Sequence, residues 1–143
     1  MAKVDFYVLE NANRQRHDVF LCRLIHKAWR QGLDVFVHTG DGRRATEFDA
    51  LLWTYQDISF VPHRLADSDA APAPVTIAAG DSADRNPAAL LVNLAPDAPG
   101  FADQHERIAE SAGYDNATRA LARQRFRAYQ AGGRAMDTHR LTL

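Results

Sequence analysis

Short apolar segments alternate along this chain with longer segments in which apolar residues recur at helical spacing. The short segments are rich in β-branched and aromatic residues, and they predict strands at residues 5–9, 34–39, 75–79 and 89–94, with a last short strand at 108–110. The segment at 89–94 is almost wholly apolar, which is typical of a strand buried on both faces of a sheet.

Three of the longer segments predict helices. The first covers about residues 15–31 and ends at a glycine, the second covers about 43–53 after a Gly-Asp-Gly turn, and the third covers about 116–131 before a glycine pair. Strands and helices that alternate at this spacing predict an α/β fold, a three-layer sandwich with a mostly parallel sheet.

The size and composition of the chain indicate one folded domain over residues 1–143. Apolar residues make up 46% of the sequence and the net charge is −1, so attraction to anions must come from a local patch. Cys22 lies in an apolar run and is expected to be a buried thiol. We find neither a signal-peptide pattern nor an apolar stretch of membrane-spanning length, so we expect a cytoplasmic protein.

The glycine-rich turn before the second helix fits one nucleotide-binding pattern. Gly40–Ala45 matches G-x-G-x-x-A, but it follows the second strand, and the first strand-to-helix turn, residues 10–14, has no glycine. The histidines form no i, i+4 pair, and no serine lies in G-x-S-x-G. We therefore predict no catalytic residues, no metal and no cofactor, and keep a nucleotide-binding enzyme as the alternative.

An aromatic pair flanks the end of the second helix. Trp53 precedes a short extended segment, residues 59–63, in which Pro62 disfavours helical geometry at Val61. Two interpretations stay open from the sequence: Trp53 and Phe60 are core residues, or they anchor a partner protein.

The last predicted helix is strongly basic. Arg119, Arg123 and Arg127 recur every four residues and share one face, and Phe126 lies one turn after Arg123. This pattern fits a solvated basic face, a site where arginine holds a carboxylate beside an apolar pocket, or a weak direct nucleic-acid site.

In combination these segments resemble the chi subunit family of bacterial DNA polymerase III. The resemblance covers nearly the whole chain and rests on six stretches: Phe6-Tyr7-Val8-Leu9, Ala28-Trp29-Arg30-Gln31-Gly32, Leu52-Trp53, Phe60-Val61-Pro62-His63-Arg64-Leu65, Ala73-Pro74-Val75-Thr76-Ile77 and Leu121-Ala122-Arg123-Gln124-Arg125-Phe126-Arg127-Ala128-Tyr129. It implies a Rossmann-like fold without a nucleotide site. It also implies a non-catalytic subunit of the clamp-loader complex that pairs with the psi subunit. The other implied partner is the acidic C-terminal tail of single-stranded DNA-binding protein, so that DNA is contacted only indirectly.

The resemblance also assigns residues to these two partners. The tail site would comprise Arg119, Arg123, Phe126 and Arg127, with Arg123 on the terminal carboxylate and Phe126 where the family often has tyrosine. The psi-facing surface would comprise four residues: Trp53, Phe60, Val61 and Pro62.

Overall fold

Strands and helices alternate over residues 3–65 and again over residues 107–142. The structure is a computed structural model that describes residues 1–56, 60–80 and 88–142. The elements in chain order are β1 (Lys3–Glu10), α1 (Arg14–Arg30), β2 (Val35–His38), α2 (Gly42–Thr54), β3 (His63–Leu65), β4 (Val75–Ala78), β5 (Leu90–Asn93), a 3-10 turn (Ala102–Gln104), β6 (Arg107–Ser111), α3 (Asn116–Ala131) and β7 (Met136–Thr142).

The seven strands form one sheet in the order β3-β4-β2-β5-β6-β1-β7, and every neighbouring pair is parallel. Side chains alternate between its two faces. Val35 and Val37 belong to a core that also holds α1 and α2, whereas Phe36 belongs to a second core beneath α3. The protein therefore has three layers, with α1 and α2 on one side of the sheet and α3 on the other.

The side chains that begin the helices are polar and lie in the preceding turns. Asn13 accepts a hydrogen bond from the backbone N–H of Arg16, and Asp115 forms a reciprocal capping box with Thr118. These caps satisfy N–H groups that the first turn of a helix leaves without partners. They explain why α1 and α3 begin within a residue of the predicted positions.

The predicted α/β class and layering are confirmed, and the sheet is wholly parallel. Within the segment predicted to be extended, residues 60–62 precede β3, and residue 59 lies outside the described part of the chain. The prediction that the strand at 108–110 is the last one was wrong, because β7 follows α3 and pairs with β1 along seven residues. Within the described residues, no helix is long and apolar enough to cross a membrane.

Candidate protein-binding surfaces

The outer face of α3 carries the predicted row of arginines. Arg123 and Arg127 are exposed, Arg119 is partly exposed, and successive members stand one helical turn apart. No carboxylate in the described residues forms an ion pair with Arg123 or Arg127. The capping hydrogen bonds from Thr118 lower the pKa of the Asp115 carboxyl, and Arg119, one turn after this cap, makes a smaller contribution in the same direction. Since no hydrogen bond to another described residue engages the guanidinium groups of Arg123 and Arg127 either, both are available to a ligand.

Phe126 lies beside this row and is only half-buried. Its ring contacts Phe6 of β1 edge-on, with 5.3 Å between ring centroids, so one side of the ring is fixed in the core. The other side of the Phe126 ring is partly exposed and lies one turn from Arg123, so it offers an apolar contact next to a cation. The structure thus brings together the four residues that the resemblance assigned to one site.

The remaining arginine of α3, Arg125, faces the sheet and not the solvent. Arg125 is buried, and its Nε donates to the Glu110 carboxylate of β6 at 2.9 Å. Glu110 also accepts hydrogen bonds from Tyr129 and Asn93, each at 2.8 Å. Burial raises the pKa of Glu110, while Arg125 and the other donors oppose that rise. This buried network fixes the rotation of α3 and so directs the other three arginines outward.

The aromatic pair near the end of α2 is exposed. Trp53 is 44% exposed and Phe60 is 60% exposed, and their ring centroids lie 5.2 Å apart. Trp53 also packs on the buried ring of His63, with centroids 4.1 Å apart, and His63 donates a hydrogen bond from Nδ1 to the Val61 carbonyl. These contacts hold two large apolar rings at the surface, so the interpretation of Trp53 and Phe60 as core residues was wrong.

Val61 requires a correction within this surface. Its side chain is fully buried in the core with Phe48 and Leu52, whereas Pro62 is half-buried. Alternation along the extended segment explains the difference, because neighbouring side chains point to opposite sides. We define the aromatic surface as Trp53, Phe60 and Pro62.

The glycine-rich turn before α2 does not provide an open anion cradle. Gly40 has φ of +75°, and a Cβ added there would lie 2.9 Å from the Cβ of Ala95, so the loop after β5 closes over the turn. Asp41 places its own carboxylate at the helix start and accepts a hydrogen bond from the N–H of Arg43. A negative side chain thus occupies the end of α2 that would attract a phosphate. Within the described residues, no cluster of acidic, histidine and cysteine side chains could hold a metal ion.

A buried polar chain that no sequence pattern predicted joins α1, α2 and β6. Ser111 lies 2.7 Å from Nε2 of His17, whose Nδ1 lies 2.9 Å from Asp18, and Asp18 binds the Arg44 guanidinium through two hydrogen bonds. Burial alone would raise the pKa of Asp18, but the hydrogen bonds from His17 and Arg44 lower it from 3.8 to about 2. Ser111 and His17 are each 5% exposed, so we assign this chain of bonds to packing. His17 and Ser111 are 94 residues apart in the sequence, so no local pattern could have predicted their contact.

Fold and surface together define a three-layer α/β protein with an exposed aromatic surface at the end of α2 and an exposed arginine row on α3, both suited to binding. The family described as DNA polymerase III chi subunit, HolC, matches residues 1–137. The chain belongs to this chi subunit family, as the resemblance implied.

Curated relatives agree with this assignment over nearly their full length. The DNA polymerase III subunit chi of Pseudomonas aeruginosa is 40% identical over 141 residues, which cover 99% of this chain and 98% of the relative. The subunit of the same name from Escherichia coli is 28% identical over 143 residues, covering 96% and 97%. That of Haemophilus influenzae is 28% identical over 140 residues, with the same coverage.

Proposed function

We propose that this chain is a non-catalytic adaptor that links the psi subunit of DNA polymerase III to the acidic C-terminal tail of single-stranded DNA-binding protein. The observation that carries the proposal is the exposed arginine row of α3 beside the partly exposed ring of Phe126. Membership in the chi family supports it, since the resemblance implied both partners.

The chemistry of the α3 surface fits the end of an acidic tail. An arginine fork can hold a terminal carboxylate through two parallel hydrogen bonds, and neighbouring arginines attract further acidic residues. Arg123 stands in the middle of the row and one turn before Phe126, so a carboxylate held there places an adjacent apolar residue against the ring. Phenylalanine offers no hydroxyl for a hydrogen bond, so this contact is apolar only.

The aromatic surface fits a more apolar partner. Large aromatic side chains dominate the affinity of many protein interfaces, and Trp53 and Phe60 present two of them side by side. Trp53 belongs to α2 on one side of the sheet, while the arginine row belongs to α3 on the other. Two partners can therefore bind at once, which a linking subunit requires.

Binding of a labelled peptide with the sequence of the tail tests the first surface. Arg123→Ala should weaken binding roughly tenfold to a hundredfold, because a hydrogen bond to a charged group contributes about 1.5–3 kcal/mol. Fluorescence anisotropy at two salt concentrations measures this, and wild-type affinity should fall as salt rises. The matched control is Arg43→Ala, an exposed arginine at the start of α2 on the other side of the sheet.

Two outcomes would contradict the tail site. Equal losses in Arg123→Ala and Arg43→Ala would mean that net charge alone attracts the peptide. Unchanged binding in Arg123→Ala would place the tail elsewhere on the protein.

Co-purification with psi tests the aromatic surface. Trp53→Ala and Phe60→Ala should each break the heterodimer while the isolated variant stays folded, because both rings are substantially exposed. Leu141→Ala, which truncates an exposed apolar residue on β7, is the control. If either variant co-purifies as much psi as the wild type does, psi does not bind through this surface. Circular dichroism separates loss of binding from unfolding.

The alternative of a nucleotide-binding enzyme has a direct test as well. A ligand that binds only the folded state raises its melting temperature, so we expect no shift with NAD, ATP or flavin. A shift of several degrees would favour the enzyme over the adaptor.

A further inference from the structure

The solvent-facing side of α1 is basic along its whole length. Four cationic residues, Arg16, Arg23, Lys27 and Arg30, are all exposed. The single acidic residue of α1 is Asp18, and it is buried and held by Arg44. No negative charge of the helix itself therefore offsets this row.

The four cations form a single line. At 3.6 residues per turn, positions 16, 23, 27 and 30 fall within about 60° of one another around the helix axis, and at 1.5 Å per residue they span about 21 Å. We call these four residues the α1 basic row. Two surface grooves follow it, one lined by Arg16 and Arg23 and the other by Arg23, Lys27 and Arg30, so the grooves meet at Arg23.

The charges of the α1 basic row are available to a ligand. Within the described part of the chain, no carboxylate forms an ion pair with any member, and Arg16 donates one hydrogen bond to the Asn11 carbonyl. Neighbouring arginines differ in this respect, because Arg14 and Arg43 both pair with Glu47. Like charges at this spacing repel one another, and an anionic ligand would relieve that repulsion.

We propose that the α1 basic row binds the phosphodiester backbone of single-stranded DNA. A polyanion can bind through its phosphates alone, whereas protein partners are usually held by buried apolar anchors. Among the described residues, the large apolar side chains that are exposed are Met1, Trp53, Phe60 and Leu141, and none of them belongs to α1. The row therefore has the charge for a polyanion and lacks an anchor for an acidic protein segment.

The geometry of the row favours a single strand over a duplex. One line of cations along one helix can follow one backbone, whereas a duplex presents two backbones that wind around its axis. The family is that of a DNA polymerase subunit, which makes DNA the nucleic acid to test. This contact goes beyond the adaptor role and departs from the expectation that DNA is bound only through other proteins.

Anisotropy of labelled oligothymidine with the intact chain tests the proposal, using two charge-reversal variants. One is Arg23→Glu/Lys27→Glu on α1, and the other is Arg123→Glu/Arg127→Glu on α3. Both change an exposed pair at i, i+4 spacing and both alter the net charge by four units, so they match in spacing and charge change and differ in location. Titrations from about 50 to about 200 mM salt give the slope of log K against log salt.

The wild type should bind with a slope of up to about −2.8, because each neutralised phosphate of a single strand contributes about −0.7. The α1 variant should bind at least tenfold more weakly, with a slope no steeper than about −1.4, and the α3 variant should keep the wild-type slope. No binding by the wild type at low salt would overturn the proposal, as would equal losses in both variants. Tighter binding of a polyglutamate of equal charge at the same row would overturn it in favour of an acidic protein partner.

Discussion

Replacing Arg125 with leucine removes the cation that faces the buried Glu110 carboxylate. The arginine Nε lies 2.9 Å from that carboxylate, and its other nitrogens donate to the carbonyls of Pro96 and Ser111. Removal of one partner from a buried ion pair typically costs about 3–5 kcal/mol, because the remaining charge is left uncompensated. The expected free energy of unfolding therefore falls by about 4 kcal/mol, which corresponds to a melting temperature roughly 10 °C lower.

Urea unfolding followed by circular dichroism measures this loss, and Arg123→Leu is the matched control. Arg123 stands two residues earlier in the same helix, is exposed and has no ion pair with the described residues, so its replacement should change stability by no more than about 0.5 kcal/mol. The double variant Glu110→Leu/Arg125→Leu should recover part of the loss, because it leaves no unpaired charge.

The pH dependence of Arg125→Leu provides an independent check. Burial raises the pKa of Glu110, and loss of the neighbouring cation raises it further. A raised pKa means that the folded state takes up the proton more readily, so the destabilisation should be smaller at pH 5 than at pH 8. Equal stability of Arg125→Leu and Arg123→Leu at neutral pH would refute the reasoning, since it would show that α3 does not depend on this buried pair.

Three further predictions concern stability and reactivity. The pKa of Asp18 is about 2 in the folded state against 3.8 ordinarily, so Asp18→Asn should lower the free energy of unfolding by about 2 kcal/mol at pH 7. Urea unfolding measures this loss. The difference from wild type should disappear as pH falls through about 2, where Asp18 of the wild type becomes protonated. Gly40→Ala should destabilise by about 1–3 kcal/mol because of its positive φ and the close Cβ of Ala95, whereas Gly42→Ala, which meets open space, should be neutral or slightly stabilising in thermal melts. Burial raises the pKa of the Cys22 thiol to about 12, so Ellman's reagent should react slowly with the native protein and rapidly in guanidinium chloride; rapid native reaction would contradict its burial.

Local patterns in the sequence predicted most of the fold. Apolar strand segments, helical periodicity and polar caps each depend on neighbouring residues, and they placed three helices and the main strands. β7 was missed because its side chains are mostly exposed, so it lacks the apolar pattern of the inner strands. Its position comes from pairing with β1, more than a hundred residues earlier.

The candidate surfaces also combine features that local sequence predicts with features that only the folded chain shows. Helical spacing alone places Arg119, Arg123 and Arg127 on one face, because that relation is local to α3. The same spacing could not show that Arg125 is buried, since its partner Glu110 comes from β6. Nor could it show that Trp53 is exposed, because exposure depends on which elements cover a residue after folding.

The sequence by itself determined the α/β class, the helices, the arginine spacing and, through its resemblance, the family to which the chain belongs. The tertiary structure alone decided that the sheet is wholly parallel, that Trp53 and Phe60 form a surface and that Val61 is core. It also decided that the four members of the α1 basic row have no carboxylate partner among the described residues. The physical reason is that periodicity and capping act over a few residues. Burial and ion pairing depend on segments that the folded chain brings together from distant parts of the sequence.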